Sequence, residues 1–100
     1  MTAGLEARLR SVGIGLVAES PAVSVFARET CVAMVGRSAE GVFSLGSTGM
    51  MTENGLAYLV WREHGPLLAA KGAEVPATAA QVESIRRFSE DLKAALQLTA

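Results

Sequence analysis

The C-terminal part of the chain most constrains the fold, because it encodes an amphipathic helix with a defined start. Thr78 and Gln81 have the spacing of a capping box, in which each side chain satisfies a backbone N–H group of the other residue. Charged residues occupy one side, and Glu83 and Arg87 are spaced for an i,i+4 ion pair. The opposite side is an apolar stripe of Val82, Ile85, Phe88, Leu92, Ala95 and Leu96. The pattern predicts a helix from Ala79 to about Leu96 that packs on an apolar surface.

The stretch from Gly55 to Gly72 is typical of a β-hairpin. Residues 56–61 form one strand-like run, residues 63–66 a turn, and residues 67–70 the return strand. The hairpin contains the only Trp, Tyr and His of the chain. Side chains alternate along a strand, so Tyr58 and Trp61 are predicted to lie on opposite faces. They therefore cannot form a shared aromatic cage, which favours a role in core or interface packing.

The N-terminal half predicts one helix and several strands. Residues 2–12 place Leu5, Leu9 and Val12 at helical spacing, with Thr2 as the N-cap and Gly13 at the C-terminal end. Strand candidates follow at residues 14–19, 22–28, 30–37 and 42–45.

Arg28 and Glu29 form a weak turn signal between two of these candidates. The pair lacks the Gly, Asn or Asp that tight turns favour. One long, bent strand over residues 22–37 is therefore the alternative to a hairpin.

The glycine-rich segment Gly46–Gly55 predicts a loop or an irregular sheet edge. Within it, Asn54–Gly55 is a type I′ turn signal that could join Met50–Met51 to the strand beginning at Leu56. Residues 71–76 are predicted to lead out of the sheet. The whole order predicts one α+β domain over residues 1–100: a short N-terminal helix, an antiparallel meander of about four to five strands, and a C-terminal amphipathic helix packed on one sheet face.

Composition favours an interaction module over several other classes of protein. Half of the 100 residues are hydrophobic and only 19% are charged, which is apolar for a small soluble domain. Some of this apolar surface is expected in an interface, so a homodimer or a protein partner is predicted. The net charge is −1 and no basic cluster extends beyond Arg86–Arg87, which argues against nucleic acid.

The same sequence argues against a membrane, a metal or a cofactor. No apolar run approaches the roughly 20 residues that a spanning helix needs. The single cysteine, Cys31, excludes an intrachain disulfide and a cysteine-based zinc site, and fits a reducing compartment. A cytoplasmic protein without metal or cofactor is expected.

Chemistry-bearing residues suggest a ligand site but no catalytic set. Ser47 and Thr48, between two glycines, could cradle an anion, although the lysine of a phosphate-binding loop is absent. Trp61 could stack on a ligand, and His64 is of the residue type most often used for acid–base chemistry. These four residues define a candidate site between the Gly46–Gly55 loop and the Trp61–His64 end of the hairpin. The simpler interpretation is a set of turn and packing residues.

Two further hypotheses concern Cys31 and the methionines. Cys31 could act as a nucleophile or a redox sensor if the fold brought His64 beside it. It lies in an apolar run, however, where free cysteine usually packs as a small hydrophobe. Met50, Met51 and Tyr58 are candidate interface residues, since one of two consecutive strand residues must face outward. No motif singles out a family, and no catalytic residue is assigned.

Overall fold

A computed structural model of the chain describes residues 3–40, 42–53 and 55–96. Within them, two helices flank seven strands, so the class is α+β, as predicted. The elements are, in chain order, α1 (Ala3–Ser11), β1 (Gly15–Glu19), β2 (Val23–Arg28), β3 (Cys31–Arg37), β4 (Phe43–Thr52), β5 (Gly55–Arg62), β6 (Gly65–Ala70), β7 (Ala73–Pro76) and α2 (Ala79–Leu96). The N-cap role predicted for Thr2 lies outside the described residues.

The seven strands form one antiparallel sheet in the order β1 to β7, so each strand pairs with its neighbours in sequence. The meander is confirmed, but the predicted count of four to five strands is too low. One missed strand is β7, which pairs with β6 where the chain was expected to leave the sheet. Gly72 has a φ of 78°, which lets the chain turn back within two residues.

The loop predicted for the segment Gly46–Gly55 is wrong for residues 46–52, and Asn54 of the predicted type I′ turn lies outside the described residues. Residues 46–52 belong to β4, which is ten residues long. The pairing of β4 with β3 shifts between Ala33 and Val35, so β4 accommodates one extra residue beside Gly46 as a bulge. Gly49 serves a different purpose, because a Cβ atom there would overlap the carbonyl oxygen of Ala57. These glycines permit a bulge and a close approach of strands inside the sheet.

A two-residue turn at Glu29–Thr30 joins β2 to β3, which excludes the single bent strand. Arg28 pairs with Cys31 across this turn. Glu29 has a φ of 55°, in the left-handed backbone region that residues other than glycine, asparagine and aspartate rarely adopt. The turn was hard to predict because an unfavourable residue occupies its first position.

Both helices lie on the same side of the sheet and bury its core. The capping box is confirmed: Thr78 N donates to Gln81 Oε1 at 2.8 Å, and Gln81 N donates to Thr78 Oγ1 at 3.1 Å. The predicted stripe of α2 packs against β3 and β4. The buried apolar residues are Leu5, Leu9, Ile14, Phe26, Cys31, Ala33, Val35, Ala57, Leu68, Ile85, Phe88, Leu92, Ala95 and Leu96.

Arg28 ties both helices to the sheet. Its guanidinium donates to Asp91 Oδ2 of α2 at 2.7 Å and to the Val12 carbonyl, just after α1, at 3.0 Å. It also lies over the ring of Phe88, 5.7 Å from the centroid. Because the helices are fixed on this side, the opposite face of the sheet receives no helix from the described part of the chain.

Candidate functional site: the open face of the sheet

The second face of the sheet is apolar and uncovered by the two helices. Strand alternation and the pairing registers place eleven apolar residues of β2 to β6 on it. We leave aside Val23, the first residue of β2, and call the other ten the open face: Val25, Ala27, Val32, Met34, Met51, Leu56, Tyr58, Val60, Leu67 and Ala69. Nine of them are half-buried by their neighbours in the sheet, and Met51 is 53% exposed. Patches of this kind on a small protein usually mark an interaction site.

Tyr58 organises the centre of the open face. It lies on β5 opposite Gly49 of β4, which has no side chain and leaves space above the sheet. The Tyr58 hydroxyl crosses this space and donates to Met34 Sδ on β3 at 3.7 Å. The aromatic ring therefore bridges β5 and β3 across Gly49, and its hydroxyl contacts the flexible side chain of Met34.

The charged residues on this side of the sheet are few and paired with each other. Arg62 donates to Glu74 Oε2 at 3.0 Å, near the end of the face formed by β5 to β7. This hydrogen bond raises the pKa of Arg62. Since none of the ten open-face residues is charged, a partner would not have to strip water from an unpaired charge there.

The structure separates the three interface candidates. Met51 and Tyr58 lie on the open face, where Met51 pairs with Leu56. Met50 points to the other side and packs against the core. Sequence reasoning missed Val25 and Val32, because continuous apolar runs in β2 and β3 gave no sign of which face would stay uncovered.

The four ligand-site candidates do not form one site. Thr48 and Trp61 line a shallow groove of about 270 Å³ between α2 and strands β4 and β5, together with Leu59 and Val82. Neither Ser47 nor His64 lines this groove. His64 is exposed in the turn between β5 and β6, and no described residue makes a hydrogen bond with it. The groove therefore unites two of the four residues, without the histidine.

Cys31 and His64 lie at opposite ends of the sheet, so they cannot act as a pair. Cys31 pairs with Met50, and Met50 pairs with Ala57 near the start of β5. His64 follows the other end of β5. The rise of an extended strand makes this separation on the order of 20 Å. Burial raises the pKa of the Cys31 thiol, although the positive charge of Arg28 partly opposes this. Cys31 therefore stays a protonated thiol in the core.

The Arg86–Arg87 pair belongs to an ion-pair cluster on the outer side of α2. Arg86 pairs with Glu83 at 2.6 Å and with Glu90 at 2.7 Å, and Arg87 pairs with Glu83 at 2.9 Å. Hydrogen bonds from both arginines lower the pKa of Glu83 to about 2. Because both guanidinium groups are already paired, this cluster does not offer free positive charge to a nucleic acid.

The described residues contain neither a metal-binding cluster nor a membrane-spanning helix. These residues contain no group of three or more His, Cys, Asp or Glu side chains that could hold a metal ion. Neither α1 nor α2 combines the length and the apolar character needed to cross a membrane.

In comparisons with known proteins, no family model, no curated protein and no solved structure matched this chain. The function therefore has to be argued from the chain's own surfaces.

Proposed function

We propose that this chain is a non-enzymatic module that forms a homodimer by packing two open faces against each other. The observation that carries the proposal is the open face itself, an apolar surface across β2 to β6 beside which the one charged residue of these strands on that side, Arg62 at the end of β5, is paired with Glu74. The proposal includes a cytoplasmic location, because a single unpaired cysteine suits a reducing compartment.

The size of the sheet agrees with a stable interface. The five strands β2 to β6, about 4.8 Å apart and about 20 Å long, present roughly 500 Å² in projection, and side-chain relief increases the accessible area. A standard interface takes about 800 Å² from each partner. Two such sheets would stack about 10 Å apart at about −30°, as in a β-sandwich.

A second copy is a suitable occupant because the open face is complementary to itself. A two-fold axis through its centre brings apolar residues against apolar residues and no like charges together. The paired Arg62 and Glu74 would lie outside that centre. The dimer would give each sheet a second hydrophobic layer, which a sheet apolar on both faces requires.

Light scattering after size-exclusion chromatography tests the proposal at micromolar concentration. We expect the wild-type chain to have a multiple of its 10.4 kDa mass and the Met51→Lys variant to have half the wild-type mass. Val75→Lys is the matched control, because Val75 is 50% exposed and pairs with the buried Leu68, which places it on the other side of the sheet. A monomeric wild-type chain, or a Met51→Lys variant with unchanged mass, would overturn the proposal.

Binding of a small apolar molecule is the second candidate function, favoured by the convergence of Thr48 and Trp61 in one groove. Trp61 is the only tryptophan, so its fluorescence reports on this groove directly. Titration with anilinonaphthalene sulfonate should quench Trp61 saturably, and Thr48→Arg should abolish the quenching. A linear, non-saturating response would remove this candidate.

A further inference from the structure

We propose that the free edge of β1 and the groove beside it form a second self-association surface. There, β1 of one copy would pair antiparallel with β1 of another and continue the sheet. The inference is independent of the proposed function, because β1 and its groove contribute none of the ten open-face residues.

The two edges of the sheet differ in how they are protected. All five residues of β1 are exposed, including the apolar Leu16 (39%) and Val17 (66%), and β1 contains neither proline nor lysine. The opposite edge, β7, has four residues, ends in Pro76, and carries Glu74 in an ion pair with Arg62. Short strands, proline and charge are the usual means by which proteins block pairing at an edge. Only β7 has them.

A groove of about 450 Å³ runs between α1 and β1, directly beside this edge. Its apolar floor includes Leu9, Ile14 and Leu16, and Glu6 and Arg10 also line it. Strand addition combines backbone hydrogen bonds with side-chain pockets next to the edge, and β1 offers both. The bulge between Leu16 and Ala18 increases the twist of β1. Because a two-fold axis relates the two copies, both β1 strands have the same twist and can still pair.

Charge complementarity identifies a second copy as the occupant. Glu6 and Arg10 lie one helical turn apart on α1, and neither side chain forms a hydrogen bond or an ion pair with another described residue. A two-fold axis perpendicular to the sheet places the two α1 helices antiparallel. Glu6 of each copy then faces Arg10 of the other, so two ion pairs form. If the axis passes at Val17, Glu19 lies opposite Gly15 of the second copy, which avoids a like-charge contact.

The two surfaces together define a closed assembly. Edge pairing leaves both open faces on the same side of a continuous 14-stranded sheet, twice the seven strands of one copy. Two such sheets can stack through their open faces, giving a tetramer with three mutually perpendicular two-fold axes.

Charge reversal in the full-length chain tests the edge. Glu6→Arg and Arg10→Glu should each weaken edge association by about tenfold or more at low salt, because each places like charges together. The double variant E6R/R10E should restore the wild-type mass, since the ion pairs are rebuilt with exchanged signs. Val17→Lys should block the edge altogether, and circular dichroism should show unchanged folding because Val17 is exposed.

Mass measurements of four proteins separate this inference from the proposed function. We expect a tetramer for the wild type, dimers for Met51→Lys and Val17→Lys, and a monomer for their combination. If Val17→Lys keeps the wild-type mass, or E6R/R10E remains as weak as the single reversals, the edge inference is overturned. If Val17→Lys alone yields a monomer and Met51→Lys changes nothing, the edge stands and the open-face proposal fails.

Discussion

The covered and open faces of the sheet are built from similar residues but have different surroundings. Phe26, Ala33 and Val35 lie under the helices and are at most 1% exposed. Val25 and Met34, their neighbours in the same strands, lie on the other side and remain partly exposed. A sheet with one solvated face normally alternates apolar and polar residues. Since β2 and β3 do not, the strands are suited to cover on both sides, and the chain itself supplies only one cover.

The largest expected effect compares one aromatic residue from each face. Phe88 of α2 is 0% exposed, so Phe88→Ala should destabilise the fold by about 3–5 kcal/mol. Tyr58→Ala should cost less than half as much when measured in the Met51→Lys background, where the open face is expected to be free. Urea unfolding measures both values. Equal losses would contradict the distinction between the two faces.

Gly49, which lies opposite Tyr58 of the open face, should be the most sensitive glycine of the sheet. Gly49→Ala places a methyl group against the Ala57 carbonyl and should cost about 1–3 kcal/mol, because β4 and β5 must separate. Gly15→Ala is the matched control, since a Cβ atom at that strand position has no neighbour within 4 Å. Thermal unfolding of the two variants should differ clearly. A Gly49→Ala protein as stable as Gly15→Ala would disprove the close approach.

The stability of α2, which packs on the covered face of the sheet, should depend on the capping box at the start of the helix. Thr78→Ala removes the oxygen that accepts from Gln81 N and should destabilise the protein by about 1 kcal/mol. Thr78→Ser retains an oxygen at the same place and should recover most of this loss. Urea midpoints give the comparison, and an unaffected alanine variant would mean that the N-terminus of α2 is held by packing alone.

The smallest effect concerns the outer side of α2 and its dependence on pH. The pKa of Glu83 falls from its ordinary value of 4.5 to about 2 on folding, so its ion pairs stabilise the fold above pH 4.5. This contribution should disappear as the pH falls from 4.5 to about 2. The melting temperatures of wild type and Glu83→Gln should therefore differ at pH 7 and converge near pH 2. A gap that persists at low pH would point to packing as its cause.

Sequence signals within each element, such as caps, turn residues and apolar periodicity, made both helices and the central hairpin predictable. The capping box and stripe fixed α2, and Gly13, with a φ of 74°, ends α1 as expected. The glycine-rich part of β4 was not predictable, because glycine ordinarily weakens strands. Only the neighbouring strand shows that position 49 requires one.

The candidate site was predictable only in part. Alternation correctly separated Tyr58 from Trp61 and indicated that one of Met50 and Met51 faces outward. It could not reveal that both helices lie on the same side of the sheet, because that depends on tertiary contacts such as those of Arg28. The separation of Cys31 from His64 likewise follows from strand order.

The strict sequence order of the strands has a consequence for folding in the cell. Every strand pairs with its neighbours in the chain, so the sheet can grow one hairpin at a time as the chain is synthesised, without waiting for distant segments. Its principal cover, α2, follows all seven strands in the chain and emerges only after the sheet is complete. A nascent chain that ends before Ala79 would expose apolar surface on both sides of its sheet. We expect such a truncated chain to precipitate where the full-length chain remains dispersed, so translational stalling would be most harmful in the interval before α2 is made.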